Sequence, residues 1–321
     1  MEKPVIRISV RNLVEFILRN GDLESGGTAG DKEAMLKGSR LHRKIQKQMG
    51  SHYQAEVSLK KDTEYEDLIL RVEGRADGIF TQNEKICIDE SKGVYKNLEL
   101  LAEPVLVHRA QALCYAWIYL DDHGLEEIDV QMTYVHLDTE MIKRFRETMT
   151  REELESWYQR LLDSYHKWLS YQMKWREERN RSMEKLEFPF IYRKGQKEMV
   201  AGIYHAISRK EQIFIQAPTG VGKTMSAVFP AVRSIGEGKA ETLFYLTART
   251  ITRTVAQDAF EILRKNGLLF KTVTIIAKEK LCFCEKPECN PETCPYAKGH
   301  YDRINDAVYE LWTNEQSFDR E

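Results

Sequence analysis

The chain has 321 residues, enough for two domains that each bury a core. Its residues are 42% hydrophobic and 31% charged, and the formal net charge of −2 excludes nucleic-acid binding by overall attraction. Charged residues near the start (Arg7, Arg11, Glu15) exclude a signal peptide, and no apolar run approaches the ~20 residues that span a bilayer. We therefore expect a monomeric cytoplasmic protein with reduced thiols and no membrane partner.

The first predicted domain, residues 1–149, is a mixed α/β unit with a small sheet. Apolar periodicity predicts its elements in this order: helices over 6–20 and 32–49, strands near 53–60, 66–80 and 85–92, a helix near 104–120 and a strand near 127–137.

Two carboxylates and a lysine lie at the ends of neighbouring predicted strands. Asp77 ends one strand, and Glu90 and Lys92 lie two residues apart on the next, so that their side chains share a face. Paired carboxylates hold Mg²⁺ or Mn²⁺, which activates water for phosphodiester hydrolysis, and a lysine can stabilise charge on the phosphate. Glu56 on the preceding strand is a further acidic candidate.

This spacing resembles the PD-(D/E)xK nuclease superfamily, with Ala76 in place of the family's proline. His42 is similar to the upstream helix histidine of RecB-type nucleases, and Gln111 with Tyr115 resembles their Gln-x-x-x-Tyr element. The resemblance implies a metal held by His42 and the two carboxylates. It implies catalytic roles for five residues: Asp77, Glu90, Lys92, Gln111 and Tyr115.

Residues 150–187 form a predicted connecting helix. Thr150 and Glu153 make the pattern of a capping box, which predicts where the helix begins. Apolar and aromatic residues then recur at helical spacing, which favours a packing face over a surface for base stacking.

The second predicted domain, residues 188–321, begins with a strand–loop–helix pattern. The apolar run 213–215 predicts a buried strand, and the glycine-rich loop 217–224 ends in Gly-Lys-Thr before a predicted helix. Such a loop turns its backbone N–H groups and a helix N-terminus toward phosphate oxygens. We predict an ATP–Mg²⁺ site built from Gln196, Thr219, Gly220, Gly222, Lys223 and Thr224.

The Ala-Pro-Thr-Gly-x-Gly-Lys-Thr form of this loop resembles superfamily 2 helicases. Gln196 lies where such helicases place an adenine-contacting element. Residues 243–250 predict the next parallel strand and resemble motif Ia, which contacts the backbone of single-stranded DNA. The resemblance implies single-stranded or forked DNA as the partner, bound in part by Thr247, Arg249 and Thr250.

Four of the six cysteines fall within thirteen residues, between 282 and 294. These cysteines could instead bind zinc, but the Cys-x-x-Cys knuckle of zinc ribbons is absent. Disulfides are not expected in a reducing compartment. Irregularly spaced thiolates with a proline after the last one favour an iron–sulfur cluster. XPD/DinG-type helicases insert a [4Fe–4S] domain here, which this resemblance places at about 275–321. It implies Cys282, Cys289 and Cys294 as ligands and a fourth ligand beyond residue 321, with Cys284 as the alternative fourth ligand.

The predicted fold class is α/β: an N-terminal PD-(D/E)xK nuclease-like domain, then a partial RecA-like P-loop helicase domain with an iron–sulfur insertion. No Walker B Asp-Glu pair follows Thr224, so we expect a fragment of a longer protein whose ATPase is inactive by itself. The resemblances imply an ATP-dependent DNA helicase with a nuclease, acting in DNA repair or processing. Two alternatives are a catalytically silent DNA-binding module that loads a helicase, and a stand-alone nuclease with a nucleotide-sensing loop.

Overall fold

The computed structural model of the chain describes residues 3–23, 32–248, 251–285 and 287–319, without the side chains of 32–35 and 251–253. Two compact units are present. One comprises Met1–Trp168 and Phe283–Tyr309, and the other comprises Leu169–Cys282 and Glu310–Glu321. The segment after Cys282 thus groups with the first unit, whereas the sequence places it in the second domain. The boundaries near residues 149 and 187, expected from the sequence, therefore remain predictions.

The first unit is built on a six-stranded mixed sheet with helices packed against it. Its elements, in chain order, are β1 (Val5–Ser9), α1 (Val10–Leu18), α2 (Lys32–Gln48), β2 (Gln54–Glu64), β3 (Ile69–Gln82), β4 (Lys85–Val94), a 3₁₀ turn (Leu98–Leu100), α3 (Leu106–His123), β5 (Glu127–His136), β6 (Ile142–Thr150) and the start of α4 (Arg151–Glu184).

Strand β3 organises this sheet because it pairs with three other strands. It runs parallel to β1 and antiparallel to both β2 and β4, and β4 continues through parallel β5 to antiparallel β6. The pairing with β1 ends at Glu73, and the pairing with β4 begins at Gly78. Residues 74–77 therefore lie where the neighbour of β3 changes.

The centre of the sheet is covered on both faces. All of β5 from Ile128 to Val135 is buried, a pattern typical of a strand with no solvent-facing side. Helix α3 is buried continuously from Ala110 to Ile118, so it is a core helix rather than an amphipathic surface helix. A smaller cluster joins α2 to the end of β5 and consists of Leu41, Ile45, Val135 and Leu137.

The segment that follows the cysteines lies against the end of α1. Arg19 donates to the hydroxyl of Tyr301 at 2.7 Å, with its guanidinium 3.7 Å from the ring centroid. The carboxylate of Asp22 accepts the N–H of Gly299, and the N–H of Leu23 bonds to the carbonyl of Ala297. These contacts make residues 297–302 part of the first unit.

The second unit is helical in the part of the chain that the structure describes, apart from a short two-stranded ladder. Its elements are the end of α4, α5 (Gln196–Arg209), α6 (Lys223–Gly236), α7 (Ile251–Lys265), β7 (Thr272–Val273), α8 (Lys278–Leu281), the end of α9 (His300–Asn314) and β8 (Ser317–Phe318). Its core joins α6 and α7 around Phe229, Val232 and Leu263. The guanidinium of Arg233 donates to the Glu184 carbonyl at 2.7 Å and so caps α4.

Two predicted strands of the second domain are wrong. Residues 213–215 and 243–247 have no regular secondary structure and pair with no strand among the described residues, and Phe214 and Leu246 are 93% and 88% exposed. An apolar run becomes a strand only when a neighbour accepts its backbone hydrogen bonds. The helix predicted after the glycine loop is confirmed as α6.

Smaller differences occur in the first domain. The helix predicted over 6–20 begins later, because Val5–Ser9 pairs with β3 as a strand and Ser9 then caps α1. The sequence did not predict β6. The capping box is confirmed, since Glu153 accepts the N–H of Thr150 at 2.9 Å. Among the described residues, no helix combines the length and apolarity needed to cross a membrane.

Close packing at Gly78 provides a test of this fold. A Cβ at this position would lie 1.8 Å from Cζ of Tyr53, whose hydroxyl is held by buried Asp89. We expect Gly78→Ala to lower the free energy of unfolding by ~1–3 kcal/mol in urea denaturation. Gly38→Ala on α2, where a Cβ meets nothing within 4 Å, is the control and should cost nothing. Equal stability of the Gly78 variant and the wild type would contradict this packing.

Candidate functional site

Asp77 lies on β3 between the residues that pair with β1 and those that pair with β4. Its Oδ2 accepts the backbone N–H of Ser91 on β4 at 2.8 Å, a bond that takes the place of a ladder bond. Gly78 pairs with Asp89, so the next position along this register sets Asp77 opposite Glu90. The register thus brings the two predicted carboxylates together, as their sequence pattern requires.

His42 of α2 reaches the same place. Its Nε2 lies 3.0 Å from Oδ2 of Asp77, and its Nδ1 lies 3.7 Å from Oε1 of Glu56. The adjacent Asp77 carboxylate raises the pKa of His42 despite its burial. Ligand atoms of His42, Glu56 and Asp77 all lie within 4.8 Å of one another, a spacing that suits a single metal ion. Glu56 has a φ of 59°, a strained conformation for a residue in a strand.

Glu90 and Lys92 complete the cluster. Lys92 Nζ donates to Oε1 of Glu90 at 2.8 Å, and the Glu90 residue is only 4% exposed. Burial, followed by the charge of Asp77, raises the pKa of Glu90 to about 7. A cavity of about 280 Å³ opens beside this group, lined in part by His42, Asp77 and Lys92.

The unsatisfied atoms at this site fit a divalent cation. Within the described chain, Oε2 of Glu90 is buried without a hydrogen-bond partner. The Nε2 of His42 is also buried, and its 3.0 Å contact with Asp77 lacks hydrogen-bond geometry. Buried polar atoms without partners are costly, and a hard cation between the carboxylates would satisfy them and remove their mutual repulsion.

Asp89, next to Glu90, has a different environment that the sequence pattern did not reveal. It points to the opposite face of β4 and is fully buried. Three neutral groups donate to its carboxylate: the hydroxyl of Thr133 at 2.6 Å, the hydroxyl of Tyr53 at 3.0 Å and the amide of Gln131 at 3.1 Å. Its acceptors are used within the protein, so Asp89 holds the strand and Glu90 remains available for a ligand.

Gln111 and Tyr115 both lie on the face of α3 that meets the sheet. Gln111 is 4% exposed, and the hydroxyl of Tyr115 accepts a bond from the backbone of Arg75. The Tyr115 ring occupies the space that a side chain at Gly74 would need, since a Cβ there would lie 2.7 Å from the hydroxyl. Tyr115 therefore contacts the strand segment that carries Asp77. His108, one turn before Gln111, was not predicted from the sequence, because a single histidine on a helix carries no pattern.

The glycine loop in the second unit curls around its own lysine. Gly220 and Gly222 have φ values of 80° and 78°, which a side chain would strain. Lys223 Nζ donates to the carbonyls of Ala217 and Pro218 at 2.9 and 3.0 Å. The hydroxyl of Thr224 lies at the first turn of α6, 3.5 Å from the hydroxyl of Tyr245. Loop and helix N-terminus together suit a phosphate chain.

Gln196 braces this loop in the structure. Its Nε2 donates to the carbonyl of Val221 at 3.2 Å, and its Oε1 accepts the N–H of Arg193 at 3.0 Å. The guanidinium of Arg193 in turn donates to the carbonyl of Gly220. A Cβ at Gly222 would lie 2.6 Å from the Gln196 amide, so the glycine is needed for this contact. Both polar atoms of the Gln196 side chain are thus engaged in hydrogen bonds to the backbone. Its contact with adenine stays a prediction.

The predicted DNA-binding residues are only partly described. Thr247 is exposed, whereas Arg249 and Thr250 lie outside the described residues. Thr219, the remaining predicted residue of the nucleotide site, is exposed in the loop.

The structure pairs two of the clustered cysteines. The Sγ atoms of Cys284 and Cys294 lie 3.9 Å apart. Burial opposes ionisation of Cys294, but bonds from the backbone of Ala297 and Tyr296 and from Cys284 lower its pKa overall. A thiol with a lowered pKa next to a second thiol suits a metal or an iron–sulfur cluster. Cys282 and Cys289, the other two predicted ligands, are partly exposed. The residue beside Cys294 is thus Cys284, which was predicted only as an alternative ligand.

A comparison with protein-family models finds a match to one segment of the chain. Residues 193–282 match the DEAD/DEAH box helicase family. This match supports a superfamily 2 helicase. It covers the glycine loop and Gln196. The match supports ATP binding and implies nucleic acid as a partner.

The other comparisons add less. No curated protein matches the chain. Among the solved structures that match is one titled "Crystal structure of SSO0001", with 19% identity over 49% of this chain and 75% of that chain. Its TM-score is 0.33, so this similarity carries no argument about the fold or the function.

The loop geometry predicts the effect of removing its lysine. We expect Lys223→Ala to weaken the binding of a fluorescent ATP analogue with Mg²⁺ by roughly 10- to 100-fold, because a charge-assisted contact to phosphate is lost. Lys239→Ala is the control, since this lysine is paired with Glu237 at 2.6 Å. Wild-type affinity in the Lys223 variant would contradict the nucleotide site.

Proposed function

We propose that the chain combines a metal-dependent nuclease site with the first part of an ATP-dependent DNA helicase motor of the XPD/DinG type. The observation that carries the nuclease proposal is the buried Glu90. One of its oxygens is paired with Lys92 and the other lacks a partner among the described residues, beside Asp77 and His42. This combination of acids, lysine and histidine suits phosphodiester hydrolysis.

The residues have distinct roles in this proposal. Asp77, Glu90 and His42 would hold Mg²⁺ or Mn²⁺, with Glu56 close enough to assist. The ion, when bound, supplies Lewis-acid polarisation of a phosphate and a lower pKa for its water. Lys92, held in place by Glu90, donates hydrogen bonds to the attacking water or to the phosphate as negative charge develops. Tyr115 and Gln111 keep α3 against the strands that carry the acids.

The cysteine segment belongs to the same proposal. Cys282, Cys289 and Cys294 would bind a [4Fe–4S] cluster, and Cys284 is a candidate fourth ligand because it lies beside Cys294. The motor would act on single-stranded or forked DNA, and the resemblance to the XPD group implies 5′→3′ movement in DNA repair or processing. A catalytically silent domain that loads DNA onto the motor is the alternative to an active nuclease.

Cleavage of end-labelled single-stranded DNA tests this proposal. Anaerobically purified wild-type protein should cut the strand with Mg²⁺ or Mn²⁺, and Lys92→Ala should cut it ~10²-fold or more slowly, because a donor to the developing charge is removed. Lys60→Ala, an exposed lysine on β2, is the matched control and should cut at the wild-type rate.

Two results would contradict the proposal. Absence of cleavage by the wild type with either metal would favour the DNA-loading alternative. Cleavage at an unchanged rate in Lys92→Ala would place any nuclease activity at another site.

A further inference from the structure

Helix α3 carries a third polar residue on its sheet-facing stripe. His108, Gln111 and Tyr115 are spaced by three and four residues and share one side of the helix. Tyr115 reaches β3 at Gly74, and His108 reaches β5 at Tyr134. These two residues thus contact β3 and β5, the strands on either side of β4, which carries Glu90 and Lys92.

Buried Tyr134 fixes the His108 ring. The Tyr134 side chain is fully buried, and its hydroxyl oxygen accepts the N–H of Val105 at 3.0 Å. The Nδ1 atom of His108 lies 3.2 Å from the same hydroxyl. An amide N–H can only donate, so the hydroxyl proton is free to point at Nδ1. We assign the tautomer from this network: Nδ1 accepts and Nε2 carries the proton.

His108 lies close to Lys92, whose charge acts on its ring. Tyr134 is the register partner of Lys92 on the adjacent strand, so the ring that sits on Tyr134 lies beside this lysine. Nε2 has no hydrogen-bond partner within the described residues, and it is not among the fully buried unsatisfied atoms. The atom therefore keeps some exposure, and its N–H is unused in the described part of the protein.

His108 stays neutral at physiological pH. Burial lowers its pKa to about 4, and the positive charge of Lys92 acts in the same direction. Glu15 opposes this shift, while Arg11 and Lys96 add to it. A neutral imidazole with a proton on Nε2 is a hydrogen-bond donor that does not give up its proton, so it can bind a phosphate oxygen without acting as a general acid.

We propose that His108 is a substrate-binding residue that donates from Nε2 to a phosphate oxygen of a nucleic-acid strand in the cleft beside Lys92. This inference rests on the proposed nuclease function and names a residue that neither the motif nor the comparisons assign.

Two isosteric variants separate this role from a structural one. In His108→Gln the amide nitrogen takes the place of Nε2, and in His108→Asn it takes the place of Nδ1. We expect His108→Gln to keep kcat/KM for single-stranded DNA within about threefold of wild type. His108→Asn should lose roughly 10- to 100-fold, the usual worth of a hydrogen bond to a charged group. Melting temperatures within about 3 °C of each other would show that both variants fold.

A binding measurement gives a second readout that does not need cleavage. Fluorescence anisotropy of a labelled single strand with Ca²⁺ in place of Mg²⁺ should show weaker binding by His108→Asn than by His108→Gln. Equal kcat/KM and equal affinity of the two variants would overturn the inference. If wild-type protein binds the strand but does not cut it, the nuclease proposal fails, and the difference in affinity still decides the role of His108.

Discussion

The hydrogen bond from the Ser91 N–H to the Asp77 carboxylate is the interaction on which the first unit's site depends. Strand β3 loses β1 as its neighbour at Glu73 and gains β4 at Gly78, and Asp77 lies in the interval. The backbone N–H of Ser91 is thus satisfied by the Asp77 side chain. This bond fixes both the β3–β4 register and the position of the Asp77 carboxylate. A slip of β4 by one residue would turn Glu90 and Lys92 to the other face of the sheet.

Alternation along β4 divides two neighbouring acids between structure and chemistry. Asp89 faces three neutral donors and is fully buried, so its bonding is complete. Glu90 faces Asp77 and Lys92, and its second oxygen lacks a hydrogen-bond partner in the described chain. Asp89 therefore holds the strand in place, and Glu90 keeps an oxygen that the proposed cation would bind. Metal sites depend on such supporting contacts as much as on the ligands themselves.

The sequence predicted Asp77, Glu90 and Lys92 because they lie at the ends of neighbouring strands, with Glu90 and Lys92 two residues apart. Spacing along β4 was enough to put Glu90 and Lys92 on one face. His42 was expected from the resemblance and Glu56 from its place on the preceding strand, and both lie beside Asp77 in the structure. The sequence could not predict His108, because its significance depends on Tyr134 and on the β4–β5 register, which are tertiary contacts. It also could not show that Gln196 braces the glycine loop.

The errors have one physical origin. The runs 213–215 and 243–247 have strand composition, yet no described segment pairs with them. Residues 6–9 were expected to be helical and instead belong to a strand beside β3. Local pattern fixes which residues prefer to be buried, and the neighbour decides which element forms. The segment after Cys282 shows the same limit, since its contacts with Arg19 and Asp22 are distant in sequence.

The central claim is that Asp77, Glu90 and His42 form one metal site, and diffraction from crystals soaked in Mn²⁺ tests it most directly. The account predicts an anomalous peak at ~2.0–2.6 Å from a carboxylate oxygen of Asp77 and of Glu90 and from a ring nitrogen of His42. A map without density at this position in fully soaked crystals, or with the Asp77 and Glu90 side chains turned away from each other, would contradict it.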